Sequence, residues 1–249
     1  RLMVSSAFAV SLIYVNYAYT GWNAASYIAG EMTSPTRHLP WVLALGTLIV
    51  LLLYVALNYV FLRVAPIEDM VGKLEIGYIA ASHAFGRQGG EIMSLVLAAL
   101  LISTASAMIL AGPRVLKVIG DDFHVLRILG RVNSHGVPVM AIATLCFTTV
   151  LLILSGTFEA VLVFTGFTLS LNTLITVLGV FVLRRRRTAA SLPFCVPLYP
   201  LPPLLFTALT LWTLIFILIE RPIEGLLGVA IILVGLAMYF VSLRLSRRS

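Results

Sequence analysis

The chain has 249 residues, of which 60% are hydrophobic and 11% charged, with a formal net charge of +7; an ordinary globular chain is roughly a quarter charged. Its mean hydropathy of +1.05 excludes a fold bathed in water. The surplus of Lys and Arg sits at the ends of apolar stretches, not on a solvated basic face with stacking aromatics, so the charge does not indicate a nucleic-acid binder.

Seven apolar stretches follow one another, near 2–32, 41–62, 92–119, 138–154, 158–183, 201–219 and 223–243. Each approaches or exceeds the roughly 20 residues needed to cross a hydrocarbon layer about 30 Å thick. They mix Leu, Val, Ile, Ala and Thr with Gly and do not alternate apolar with polar residues, so the expectation is an all-α integral membrane protein with seven transmembrane helices.

The first stretch is too long. Wound throughout as helix it would reach roughly 45 Å. Near its middle stands Tyr17-Ala18-Tyr19-Thr20-Gly21-Trp22-Asn23, where Thr, Gly and Asn are weak helix formers and Asn is costly in lipid. A break there would leave backbone carbonyls and amides without their helical partners at mid-membrane depth, which is tolerated only beside protein or a polar cavity. Discontinuous helices of this kind form the substrate and ion sites of many secondary transporters. The alternative is a straight tilted helix with Gly21 at a packing contact.

A short polar link follows, in which Pro35 and Pro40 are expected to stop one helix and start the next. Glu31 and Arg37 either pair across it as a gate or simply face water as helix-end charges. The long link at 63–91 predicts a short amphipathic helix on the outer face, as a lid or as a passive interfacial element. The third stretch carries Ser103, Thr104 and Ser106 within one helical turn. Their oxygens either ligate a small cation or bond back to their own helix. Asp121, Asp122, His124 and His135 in the next link match no metal-ligand spacing. In the fifth stretch Asn172 should face the bundle interior, as a cavity wall or as interhelical glue. The last two stretches hold little polarity and read as packing or dimer helices.

Basic residues set the orientation. On one side fall Arg37, Arg114, Lys117, Arg127, Arg131, the quartet Arg184, Arg185, Arg186 and Arg187, and Arg244, Arg247 and Arg248; on the other Arg63, Lys73, Arg87 and Arg221. This asymmetry predicts a multi-pass protein of the cell membrane with a cytoplasmic C-terminus. The quartet reads as a topology anchor touching anionic lipid. Cys146 and Cys195 fall too far apart in this arrangement for a disulfide. The chain starts with Arg, without a recognisable signal peptide, and is expected to begin inside a longer gene product. There is no GxSxG, no HExxH and no Gly-rich phosphate loop, so a membrane enzyme is disfavoured, and no cofactor is expected.

These residues carry a resemblance. The run Tyr17 to Asn23, then Gly30-Glu31-Met32 with Pro35, Arg37, Leu39 and Pro40, resembles the sixth span and following loop of amino acid permeases of the amino acid, polyamine and organocation (APC) superfamily. Ala111-Gly112-Pro113-Arg114-Val115 is similar to that family's eighth span. Phe164-Thr165-Gly166-Phe167-Thr168 with Leu183 and the Arg quartet is similar to its tenth. The resemblance implies that residues 1–249 form the C-terminal part of a permease domain, spans six to twelve of a leucine-transporter-like fold. Residues 1–183 would be the second five-helix inverted repeat and 201–245 two peripheral helices, with the N-terminal repeat missing as a partner.

It further implies a secondary active transporter of amino acids or related amines. The substrate ammonium would be received by carbonyls at Tyr17, Ala18 and Thr20, around Gly21, Trp22 and Asn23, and Tyr17 would gate the pocket. Ser103 and Thr104 would lie near a sodium site in sodium-coupled relatives, whereas other members move protons or exchange substrates. A seven-helix receptor is the alternative of a different class, supported by the span count. The over-long first stretch and the lack of an outer Cys pair argue against it.

Overall fold

The computed structural model describes residues 6–22, 32–186 and 196–246. Among these the chain is helical, with no strand. The α-helices are α1 (Ser6–Ala18), α2 (Pro35–Val64), α3 (Ile67–Met70), α4 (Ile76–Asp122), α5 (Arg127–Gly130), α6 (Val139–Ser155), α7 (Phe158–Arg186), α8 (Leu201–Glu220) and α9 (Pro222–Ser246), with a 3-10 turn at His124–Leu126. Among the described residues five helices are long and apolar enough to cross a membrane: α2, α4, α7, α8 and most of α9. Helix α6, at 17 residues, is shorter, and α1 has 13 residues. Against the seven spans expected from the sequence, five helices among the described residues have the length of a full span.

Two compact units divide the chain. The first holds residues 1–39, 121–127 and 146–249. Its core is Ile13, Val163, Phe167, Leu174, Leu214 and Ile217, with Tyr14, Leu171, Leu218 and Val229 packed around them. These side chains come from α1, α7, α8 and α9, which pack on one another, and the 3-10 turn rests on α9, where Phe123 meets Tyr239 edge-on at 5.9 Å.

Small residues set the spacing of this bundle, as expected where lipid supplies no hydrophobic drive between helices. A Cβ at Gly166 would come within 2.9 Å of Ile13, and one at Gly228 within 2.6 Å of Phe167 and 2.9 Å of Thr168. At one end of the bundle Arg184 lies over the Tyr199 ring, 4.2 Å from its centroid. At the other end Glu159 meets Arg221. Because α7 runs from Glu159 to Arg184 and α9 from Glu224 to Arg244, acidic helix starts share one end and basic helix ends the other.

The second unit holds residues 40–120 and 128–145. Within it α4 is two helices joined at Gly86, whose φ of 74° and ψ of −176° break the helix in a conformation that side chains other than glycine rarely adopt. Residues 76–85 fold back on the start of the longer segment, with Tyr78 and Ser82 against Gly90 and Leu97 against Gly77. His83 contacts Asp69 at 3.0 Å, which ties the folded-back helix to α3. The amphipathic helix expected at 63–91 is this segment.

One sequence expectation is corrected. Pro40 does not start the second span: α2 begins at Pro35 and carries Pro40 inside it. So near the N-terminus the missing N–H forfeits a single hydrogen bond, to Thr36, which a helix of 30 residues tolerates.

Candidate functional site

Helix α1 ends at Ala18, and residues 19–22 form a turn. The last amides tighten: the Tyr19 N–H donates to the carbonyls of Val15 and Asn16, both at 3.2 Å, and the Thr20 N–H donates to the Tyr17 carbonyl at 3.0 Å. Such short-range bonds satisfy carbonyls orphaned by a helix end. The Thr20 hydroxyl also donates to the Tyr17 carbonyl, at 2.6 Å, so both lone pairs of that oxygen are engaged.

Gly21 follows with φ +101°, and a Cβ there would meet nothing within 4 Å. Glycine is therefore demanded by the backbone conformation and not by crowding. The turn is exposed, as are Tyr17 and Trp22 at 38% and 49%. No basic side chain lies in the last turn of α1, so the partial negative charge of about half an electron at a helix C-terminus is uncompensated from within the helix. This end of α1 can attract a cation.

Tyr17, Ala18, Thr20, Gly21 and Trp22 are thus brought together. Asn23 and Glu31 lie outside the described residues, and with Glu31 the suggested pairing to Arg37. Arg37 itself is exposed in the first turn of α2, where its N–H donates to the Ser34 carbonyl at 3.1 Å.

In α4, Thr104 donates to the Leu100 carbonyl and Ser106 to the Ile102 carbonyl, both at 2.9 Å. The hydroxyl protons are spent on their own helix, which leaves the oxygens with lone pairs only. Ser103 is exposed on the same helix. Asn172, in α7, is exposed; its side chain makes no hydrogen bond among the described residues, and its carbonyl accepts the Thr176 hydroxyl. Among the described residues no group of three or more His, Cys, Asp or Glu is arranged to hold a metal ion.

The sequence reading missed a polar cluster beside the core. Glu159, in the first turn of α7, accepts the Tyr14 hydroxyl at 3.2 Å and the Arg221 guanidinium at 2.5 Å through the same oxygen. Three segments meet on it: α1, α7 and the α8–α9 turn. Opposite charges at two helix ends on the same side of the membrane were the available signal, and the sequence reading used them only to count sides.

The amino acid permease family model matches residues 3–240. The b(0,+)-type amino acid transporter 1 of Homo sapiens is 26% identical over 237 residues, covering 94% of this chain and 48% of the relative. The serine/threonine exchanger SteT of Bacillus subtilis (strain 168) is 26% identical over 237 residues, covering 94% and 54%. The large neutral amino acids transporter small subunit 2 of Mus musculus is 24% identical over 235 residues, covering 94% and 44%. The chain spans about half the length of these curated relatives. The end of α1 before Gly21, the helix broken at Gly86, the apolar spans and the family match agree: this chain is a multi-pass membrane protein that belongs to the amino acid permease family.

Proposed function

We propose that the chain is the second half of a secondary active transporter that moves amino acids or related amines by alternating access around the end of α1. The observation that carries this reading is the termination of α1 at Ala18 in a glycine turn, with the negative helix end carrying no basic residue in its last turn. An ammonium group is the part of an amino acid that such an end attracts. The names of the relatives, transporters and exchangers of amino acids, support the substrate class.

In this reading the remainder of the first span completes seven crossings, residues 1–183 form an inverted repeat, and 201–245 are peripheral. A preceding repeat would supply the donors for the substrate carboxylate. The basic end of the bundle, with Arg184, Arg185, Arg186 and Arg244, faces the cytoplasm together with the C-terminus. Tyr17 and Trp22 close over the substrate, and Glu31 with Arg37 gates the inner side. The Tyr17 carbonyl, doubly engaged by Thr20, becomes a ligand when the substrate ammonium displaces the Thr20 hydroxyl. Ser103, Thr104, Ser106 and Asn172 line the pathway, where lone-pair oxygens suit a coupling cation. A proton or an exchanged substrate fills the same role in a sodium-free cycle.

Uptake of labelled amino acids by the full-length protein in proteoliposomes is expected to vanish in Gly21→Leu. Normal uptake by that variant, stably inserted, would overturn the assignment of the site.

A further inference from the structure

An open groove of about 320 Å³ lies where the end of α6 and the starts of α7 and α9 come together. Its length is apolar, walled by Leu152, Val161, Phe164, Ile223, Leu227 and Ile231. Its mouth is polar, with Ser155 and Glu224 among the lining residues. All of these belong to the first compact unit.

Position and chemistry restrict the occupant. Glu224 sits in the first turn of α9 and Ser155 is the last residue of α6, so the mouth lies at the headgroup level of a spanning bundle while the walls run into the hydrocarbon. From Ile223 to Ile231 the wall extends eight residues, about 12 Å of helix. That is longer than an amino acid side chain and suits a stretch of acyl chain. The wall is open along this chain, since Ile223, Leu227 and Ile231 are exposed at 71%, 53% and 54%.

The mouth offers acceptors only. Glu224 makes no hydrogen bond or ion pair among the described residues, and an ionised carboxylate cannot donate. The Ser155 hydroxyl spends its proton on the Leu152 carbonyl at 3.1 Å, so its oxygen is left with lone pairs only. One helical turn earlier stands Arg221, bound to Glu159 through a single nitrogen, with further guanidinium donors that suit a phosphate. A lipid head without a cationic group would leave Glu224 unmatched. A quaternary ammonium would match its charge but offer no N–H donor.

We propose that this groove is a binding site for an aminophospholipid of the phosphatidylethanolamine type, with one acyl chain along Phe164 and Leu227, the primary ammonium on Glu224 and Ser155, and the phosphate toward Arg221. The site is independent of which substrate the protein carries.

The test uses the full-length protein in nanodiscs of equimolar phosphatidylethanolamine and phosphatidylcholine, with lipid retained after detergent extraction counted by native mass spectrometry. Phosphatidylethanolamine is expected to be retained about tenfold over phosphatidylcholine, a ratio set by charge-assisted N–H donation to Glu224. Glu224→Gln should bring the ratio near one. A second variant, Gly156→Leu, should expel both lipids; a Cβ there meets only Ala160 at 3.7 Å, so the larger side chain enters the groove without a clash at its root. Equal retention of the two lipids by the unaltered protein, a preference that survives Glu224→Gln, retention unchanged by Gly156→Leu, or no retained lipid at all would each overturn the proposal.

Discussion

The Tyr14 hydroxyl of α1 donates to the Glu159 carboxylate of α7 at 3.2 Å, across 145 residues of sequence. With Arg221 on the same oxygen, this contact fastens the helix that ends at the candidate site to the packed bundle beneath it. Next to Tyr14 in the chain, Ile13 is fully buried against Gly166, so the segment leading to the end of α1 is held by both packing and polar contact.

Tyr14→Phe and Glu159→Gln should therefore couple. Glu159 and Arg221 are half exposed, at 51% and 40%, and water screens the ion pair, so each single change is expected to cost about 0.5–1 kcal/mol of stability. In a double-mutant cycle followed by thermal unfolding of the purified protein, the effects should be less than additive. Strict additivity would mean that the hydroxyl and the carboxylate do not interact.

Gly21 distinguishes conformation from crowding. A left-handed residue costs an L side chain about 1–2 kcal/mol, whereas the space around a Cβ at this position is open. Gly21→Ala should thus lose nearly as much transport as Gly21→Leu, measured as initial uptake rate at matched expression. A variant series in which Ala is harmless and Leu abolishes uptake would place the constraint in packing instead.

Thr20→Val removes the hydroxyl that occupies the Tyr17 carbonyl and keeps the side-chain shape. If the substrate ammonium takes that oxygen, loss of an internal competitor worth about 1 kcal/mol should lower KM by up to about fivefold. A raised KM would make the hydroxyl itself a substrate ligand.

The close approach of α9 to α7 predicts an overpacking effect. Gly228→Leu drives side-chain atoms into Phe167 and Thr168 and should destabilise by about 1–3 kcal/mol. Phe167→Ala, at a site 1% exposed, should cost about 3–5 kcal/mol alone. The double variant should be more stable than the sum of the two, as read from thermal unfolding in detergent.

Much of this arrangement is legible in the sequence where the signal is local. The end of α1 at Ala18 shows in the run of Thr20 and Gly21, and the starts of α7, α8 and α9 show in composition and in Pro202, Pro203 and Pro222. A short amphipathic helix within 63–91 was expected, but not its position at 76–85 or its fold-back. The partners of Gly77 and Gly90, which are Leu97 and Tyr78, meet only after Gly86 reverses the chain. The Tyr14, Glu159 and Arg221 cluster joins residues 145 and 62 positions apart, and no periodicity connects them. The rotamer that turns Thr20 onto Tyr17 is set by the geometry of the turn. Span length accounts for the two remaining stretches: α6 is apolar throughout yet only 17 residues long, and of the first stretch the described helix α1 has 13 residues.

The most direct test is the reactivity of a cysteine placed at Ala18, the last residue of α1, in full-length protein whose Cys146 and Cys195 are replaced by Ser. Alternating access around this helix end predicts that a membrane-impermeant thiol reagent labels Ala18→Cys from either side of sealed vesicles, and that a transported amino acid slows labelling at concentrations near its KM. Labelling that is indifferent to substrate, or confined to one side under all conditions, would contradict it.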